Sequence, residues 1–407
     1  MKFVFPRAPR PQNLTDESWN AWTWQLQNAS KSREHFEARF VLTDSEKRGF
    51  DEGRELFQVR ATPYYLSLIG DDVDDPVRRM IFPQAAELEV GAQSEADPLG
   101  EKRNSPVARI LHRYPDRVLF LVTDLCSVYC RYCTRKHFTG QDQAMPKADE
   151  YARALDYIRT HPGIREVILS GGDPLTLGDK HLERILTDLR AIEHVEIIRV
   201  GTRMPVVCPM RVTPELVRIL RAARPVYLMT HFNHPRELTE EAVTALERLV
   251  DHGIPVMNQM VLLNGVNNHP AIVQALARRL LFLRVKPYYM FQCDPSRGTD
   301  HLRTSVDESL TIQRELWGTL SGLAMPTLSL DIPNGGGKTT LAPNFLVEQE
   351  EGRRVYRGWD GVTGEYVNPD PAGHRLPADW RDYDPEWQRT RDAKNWTTAN
   401  RDPEAEI

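Results

Sequence analysis

The sequence predicts an α/β protein built on a parallel sheet, a partial βα barrel of six strand–helix units, two short of a closed eight-fold barrel. Three observations carry this. Short continuous apolar runs alternate with amphipathic stretches from Val118 to Asp331, as buried parallel strands and covering helices do. Helix starts are marked by Thr213 before Pro214 and by Thr239 before Glu240-Glu241. Polar residues collect where the apolar runs end. An open doubly wound sheet is the alternative, because spacing does not give strand order.

The units follow in order. Val118–Thr123 precedes a helix around Tyr151–Arg159, Glu166–Ser170 precedes Lys180–Ala191, and Val195–Gly201 precedes Pro214–Ala223. Val226–Thr230 leads to Glu240–His252, Pro255–Leu263 to Pro270–Leu283, and Lys286–Cys293 to Val306–Leu323; Thr327–Asp331 closes the series. Residues 1–110 read as a helical N-terminal region. Thr15-Asp16 caps a segment with Trp19, Trp22 and Leu26 on one stripe, and Thr43 to Glu46 has capping-box spacing before a helix through Leu56 and Phe57. Residues 111–340 form the core, and 341–407 a C-terminal extension, partly irregular, ending from about Asp370 in a short tail without periodicity.

Composition excludes several function classes. The chain has 407 residues, 41% hydrophobic and 27% charged, as in an ordinary globular protein. A net charge of −5 and a pI near 6.2 give no support for a nucleic-acid partner. No apolar run approaches the roughly 20 residues needed to span a membrane. The first ten residues lack the apolar core of a signal peptide. Five cysteines, three of them clustered, do not form a disulfide framework, so a reducing cytoplasm is expected.

The cluster is Cys126, Cys130 and Cys133, at C-x3-C-x2-C spacing. Three thiolates hold three corners of a 4Fe–4S cube and leave one iron open to a ligand. With Tyr132 before the last cysteine, the run resembles the radical S-adenosylmethionine signature. A structural zinc site would need a fourth ligand, and His137, the local candidate, is poorly spaced.

Further polar features mark the remaining strands: Gly171-Gly172-Asp173, Arg203 and His231 follow theirs, Gln259 lies within the fifth, and Asp294 and Asp331 end the last two. In parallel α/β architectures these ends open on one face, where active sites assemble. Gly171 and Gly172 permit close backbone approach to a polar ligand, and a Gly-Gly after a strand is otherwise an ordinary turn. His231 and Gln259 share that face and could contact the same ligand, though each alone is more often a satisfied core polar group. Gly337-Lys338-Thr339 mimics the end of a phosphate-binding loop, but Ile332 stands where its first glycine belongs and Pro343 stops a following helix, so triphosphate binding is rejected. Lys338 on a glycine arm suits a Schiff base, with pyridoxal phosphate the obvious carbonyl partner, or else is a solvated loop lysine. Arg113 and Arg117 offer forks that match phosphate oxygens.

Together these stretches resemble the lysine 2,3-aminomutase family of radical S-adenosylmethionine enzymes. The resemblance runs from Trp19-Asn20-Ala21-Trp22 to Tyr366. It rests on Thr62 to Leu68, His112 to Arg117, the cysteine run through Arg135, Thr230 to Pro235, Pro287-Tyr288-Tyr289, Gln292-Cys293-Asp294 and the arm Gly335 to Lys338. It implies a barrel of the radical S-adenosylmethionine type, with Cys126, Cys130 and Cys133 ligating the cluster. Tyr132, Gly171, Gly172, Asp173, His231 and Gln259 would lie around S-adenosylmethionine. Lys338 would form an aldimine with pyridoxal phosphate, and Arg113 and Arg117 would bind its phosphate. Arg135 would hold the substrate carboxylate, and Asp294 and Asp331 the far ammonium of lysine.

Two carboxylates in one pocket repel, so one is partly protonated unless a cation sits between them; they favour a cationic substrate and disfavour glutamate. The implied reaction is hydrogen abstraction from carbon 3 of the bound lysine by a 5′-deoxyadenosyl radical. Migration of the amino group from carbon 2 to carbon 3 then gives β-lysine. The resemblance also implies an electron donor such as flavodoxin or ferredoxin and a homo-oligomer. Some family members carry a C-terminal zinc site; here no cysteine follows Cys293, Tyr366 to Pro371 stands where that site would begin, and His269 replaces the partner cysteine. Competing readings are the same migration on arginine, or on lysine used to modify a translation factor, and a zinc-stabilised binding protein.

Overall fold

Threonine caps set the N-terminal layer. Thr15 accepts from the Ser18 amide and opens α1 (Asp16–Asn20), but Ala21 is extended and starts α2 (Trp22–Gln27) afresh. The expected single stripe is therefore split: Trp19 is buried, while Trp22 and Leu26 lie half-buried against the core. After α3 (Arg33–Glu37), α4 (Asp44–Glu52) begins with the capping box of Thr43 and Glu46 and stops at Gly53, short of Leu56 and Phe57. Glu46 is also buried against Arg78, which donates Nε–H and Nη2–H to its two oxygens at 2.7 Å each. The short helices α5 (Pro63–Leu66) and α6 (Pro76–Arg79) each start with proline after a capping Thr62 or Asp75. They bring Tyr64 and Tyr65, both fully buried, onto the barrel, where Tyr65 donates to Glu237 at 2.7 Å.

The computed structural model describes residues 3–91, 93–140, 145–369, 375–377, 379–385 and 388. Its main sheet has nine strands in chain order: β1 (Ile110–Tyr114), β2 (Arg117–Thr123), β3 (Glu166–Gly171), β4 (Ile197–Gly201), β5 (Val226–Thr230), β6 (Val256–Leu262), β7 (Lys286–Gln292), β8 (Thr327–Ile332) and β9 (Gly337–Thr340). From β2 to β8 every neighbouring pair is parallel, with Leu119 beside Ile168 and Leu228 beside Val256. The crossovers carry α7 (Ala148–Thr160), α8 (Asp179–Arg190), α9 (Met204–Val207) with α10 (Pro214–Ala222), α11 (Glu240–Asp251), α12 (Pro270–Phe282) and α13 (Val306–Leu316). Six units in unbroken order make a partial barrel; the strand-order reversal of a doubly wound sheet is absent.

Strand burial alternates. In β3, Val167 and Leu169 are fully buried, whereas Glu166, Ile168 and Ser170 line an interior cavity; in β4, Ile198 and Val200 are buried while Ile197, Arg199 and Gly201 face inward. The barrel interior is thus a cavity lined by both polar and apolar side chains rather than a filled core. Two edge strands were not expected: β1 runs antiparallel to β2, and β9 antiparallel to β8. They meet at a seam, where the Lys338 amide donates to Tyr114 Oη at 3.0 Å. The preceding segment packs along it, with Asn334 N–H donating to Pro98 O at 3.1 Å and His112 N–H to Asn104 O at 2.8 Å.

The C-terminal extension carries regular structure of its own. β10 (Leu346–Glu350), β11 (Arg353–Arg357) and β12 (Thr363–Val367) form a separate antiparallel sheet, with Arg353 pairing with Glu348, Glu350 and Glu365. Charged, two-sided exposure hid these strands from an apolar reading. Most of the tail from Asp370, including Asp370 and Pro371, lies outside the described residues. Among the described residues, no helix is long and apolar enough to cross a membrane.

Candidate active site

The cysteine loop leaves the end of β2, and the glycines after β3 fix its root. Gly172 N–H donates to Thr123 O at 2.7 Å, and Asp173 N–H to Leu125 O at 2.9 Å. A Cβ on Gly171 (φ +118°) would lie 2.1 Å from Thr123 O, and one on Gly172 2.4 Å from Leu125 O. The close approach expected toward a ligand is here made to the protein's own backbone. Asp173 is buried and accepts from Thr202 Oγ1 at 2.6 Å, Arg203 N–H at 2.7 Å and Leu175 N–H at 3.0 Å. It ties the ends of β3 and β4 together, and burial raises its pKa.

Cys126, Cys130 and Cys133 are half-buried free thiols. Burial first, then the charges of their neighbours, raise two of them: Cys126 lies well above the usual thiol range, and Cys133 is pushed up to about 11. Donors compensate. Arg203 Nη1–H points at Cys130 Sγ at 2.7 Å, and Arg135 N–H at Cys133 Sγ at 3.3 Å. Among the described residues, no three His, Cys, Asp or Glu side chains gather closely enough to hold a single ion. Three free thiols from one loop are the donor set of a multi-iron cluster that places each ligand on a separate iron.

Behind the loop is a polar network. Tyr132 Oη lies 2.9 Å from His231 Nε2 and accepts from Asn233 Nδ2–H at 2.6 Å, and the Tyr132 and His231 rings stack at 5.7 Å. Burial and then the Arg203 charge push His231 down to about 3, so its imidazole is neutral. Glu237 accepts from Arg203, Tyr65, Asn233 N–H and His234 N–H. Asn233 and Glu237 were not singled out from the sequence, and Arg203 was visible only as a polar residue ending a strand.

The inward residues of β3 to β7 enclose a cavity of about 570 Å³ that also takes in Arg117, Arg135, Gln259 and Lys338. Arg135 donates Nε–H to Glu101 and Nη1–H to Ser170, both at 2.7 Å. Lys338 Nζ lies 3.1 and 3.0 Å from the two oxygens of Asp331 and 5.1 Å from the centre of the Phe291 ring. Burial and then the Asp331 charge raise Asp294 to about 7, against the opposing charges of Lys338, Arg303 and Arg113. Asp294 Oδ1 is buried without a hydrogen-bond partner, as are Nε and Nη2 of Arg113. Arg117 pairs with Asp116 at 2.6 Å and stacks over Tyr114 at 4.0 Å. Cys208 and Cys293 stand apart as buried thiols pushed up to about 12, and His269 caps α12 by accepting from Ala271 N–H.

Comparison with known proteins agrees with this arrangement. The profile of the Radical SAM superfamily matches residues 120–274, and that of Lysine-2,3-aminomutase matches residues 313–397. The chain is 46% identical over 360 residues to an L-lysine 2,3-aminomutase of Clostridium subterminale, covering 88% of this chain and 86% of that one. It is 44% identical to the Bacillus subtilis L-lysine 2,3-aminomutase (88% and 76%), and 43% identical to a glutamate 2,3-aminomutase of Clostridioides difficile (86% and 83%). The superfamily implies a 4Fe–4S cluster and S-adenosylmethionine, for which the thiol loop has the donor set. With a thiol loop at the barrel mouth and relatives this similar across most of its length, the chain belongs to the lysine 2,3-aminomutase family of radical S-adenosylmethionine enzymes, and it is an isomerase.

Proposed function

We propose that the enzyme moves the 2-amino group of L-lysine to carbon 3, giving β-lysine, with pyridoxal phosphate held by Lys338. One observation carries the choice of lysine: Asp294 lies close enough to Asp331 for its carboxyl to feel that charge, and the Lys338 ammonium is paired with Asp331. Tied up by an aldehyde, the Lys338 nitrogen would no longer be the three-donor ammonium that now pairs with Asp331, and the two carboxylates would call for another cation. The far ammonium of lysine supplies it. Glutamate would bring a third negative charge and leave both aspartates unpaired. The relatives alone do not separate these substrates, since lysine and glutamate aminomutases match almost equally well.

The residues present suit pyridoxal phosphate. Arg113 holds two buried, unpartnered N–H groups on the Gly337 side of Lys338, with Arg117 across Tyr114. These are the donors a phosphate requires. When bound, pyridoxal phosphate supplies a conjugated system that spreads an unpaired electron. The chain's own residues orient the substrate around it. Arg135, with Nε and Nη1 fixed by Glu101 and Ser170, keeps its Nη2 edge for the substrate carboxylate. Asp294 and Asp331 hold the far end, and the barrel walls exclude water and stray hydrogen donors from a primary carbon radical. The reading includes an external donor of the flavodoxin or ferredoxin type and a homo-oligomer.

The test is anaerobic reconstitution with iron, sulfide, S-adenosylmethionine, pyridoxal phosphate and reductant, followed by chromatography of lysine, arginine and glutamate incubations. Conversion of lysine to β-lysine is expected. Turnover of glutamate or arginine in its place would overturn the assignment.

A further inference from the structure

Arg203 is a buried cation behind the thiol loop, 8% exposed, just past the end of β4. Its two terminal nitrogens are divided. Nη1 donates to Cys130 Sγ at 2.7 Å, and Nη2 donates to Tyr65 Oη at 2.7 Å and to Glu237 Oε1 at 2.8 Å. The guanidinium lies over the rings of Tyr65 and Tyr132, at 5.1 and 5.8 Å. Glu237 is fully buried and held by four donors, so it cannot swing away. A buried arginine with one fork on a buried carboxylate and the other on a sulfur is oriented by the first to serve the second.

We propose that Arg203 is a positioning residue that sets the reduction potential of the cluster through Cys130. Hydrogen bonds to ligating sulfurs and the net charge around a cluster are among the terms that fix its potential. One electron entering the cluster adds one negative charge, and a donor and fixed cation at Cys130 stabilise that reduced state. Arg203 therefore makes the cluster easier to reduce. Asp173 assists by accepting the Arg203 amide at 2.7 Å, so the turn that fixes the cysteine loop also fixes the arginine. This role is independent of which amino acid is turned over.

The test is a redox titration of the reconstituted full-length protein with dithionite, without S-adenosylmethionine or amino acid. The reduced cluster is followed by electron paramagnetic resonance and iron is counted. At the potential that half-reduces the wild type, Arg203→Met should show a reduced-to-oxidised ratio about tenfold lower, equivalent to a shift of about 59 mV for a one-electron couple. Arg203→Lys keeps the charge but loses the fork, and should fall about threefold. A ratio within twofold of wild type in Arg203→Met, or a shift in the opposite direction, overturns the proposal. If Arg203→Met takes up no iron, Arg203→Lys decides: a ratio equal to wild type overturns it, and a lowered one sustains it.

Discussion

Asp331 and Lys338 face each other across the antiparallel ladder of β8 and β9, and their side chains close the same gap, with Nζ 3.0 Å from Oδ2. The turn between them runs through Asn334, Gly335 and Gly337, all in left-handed conformations. The amine expected to hold the aldehyde is therefore registered against its own counter-ion by main-chain hydrogen bonds. On the proposed reading, engaging Lys338 with the aldehyde would weaken its hold on Asp331 and leave that carboxylate, beside Asp294, to a cationic substrate.

Lys338→Ala should therefore abolish the visible band that pyridoxal phosphate gains on linking to a lysine amine, while the iron–sulfur spectrum stays intact. Absorbance of the variant, reconstituted with both groups, checks this. Survival of the pyridoxal band would refute the assignment of Lys338.

If Asp294 holds the far ammonium as proposed, lysine binding should depend on pH. Its carboxyl keeps its proton up to about pH 7 in the free protein, through burial and then the Asp331 charge. Lysine stays an ammonium throughout this range. Between pH 8 and pH 6 the ionised fraction of Asp294 falls from nearly complete to about one tenth, so KM for lysine should rise about tenfold. Asp294→Asn should flatten that dependence and raise KM about 100-fold, the roughly 3 kcal/mol of a broken buried pair. Stability shows the opposite sign. A carboxyl with a raised folded pKa destabilises the fold as pH rises from its unfolded value toward 7. The free Asp294→Asn protein should thus melt higher than wild type at pH 8. A wild-type KM that does not change with pH would remove Asp294 from the substrate site.

How much of this could be read in the sequence follows from what kind of signal each residue gives. The six crossover units were legible because Val167, Leu169, Ile198 and Val200 must be buried under helices, and apolar runs announce that. The inward alternation of Glu166, Ser170 and Arg199 was hidden inside the same runs, which give no sign of the cavity those side chains line. The edge strands β1 and β9 were missed because His112, Arg113, Lys338 and Thr339 carry chemistry rather than hydrophobic pattern. Cys126, Cys130 and Cys133 declare themselves by spacing. Glu237 and Asn233 also bond to Arg203 and Tyr132, which are distant in the chain, and no local pattern encodes those contacts.

Gly171 carries the cluster loop without touching a thiol. A Cβ there would stand 2.1 Å from Thr123 O, in a backbone conformation (φ +118°) that L side chains rarely adopt. Gly171→Ala should push the end of β2 away and lower iron uptake several-fold on reconstitution. Circular dichroism should remain close to wild type, because the helices of the barrel do not depend on that contact. Wild-type iron content in this variant would show that the loop root tolerates displacement.

Tyr114 links the two edges of the barrel in two separable ways. Its hydroxyl accepts the Lys338 amide at 3.0 Å, and its ring supports the Arg117 guanidinium at 4.0 Å. Tyr114→Phe removes only the first. The lost hydrogen bond is worth about 1 kcal/mol, so pyridoxal phosphate should bind roughly fivefold more weakly, with the cluster unaffected. Tyr114→Ala removes the support of Arg117 as well, and a fork that is no longer held flat loses its fit to phosphate. Its affinity should fall further, by at least another tenfold. Absorbance titration with pyridoxal phosphate separates the two effects. Equal affinities for the Phe and Ala variants would show that the ring does not position Arg117, leaving the seam with the hydroxyl alone.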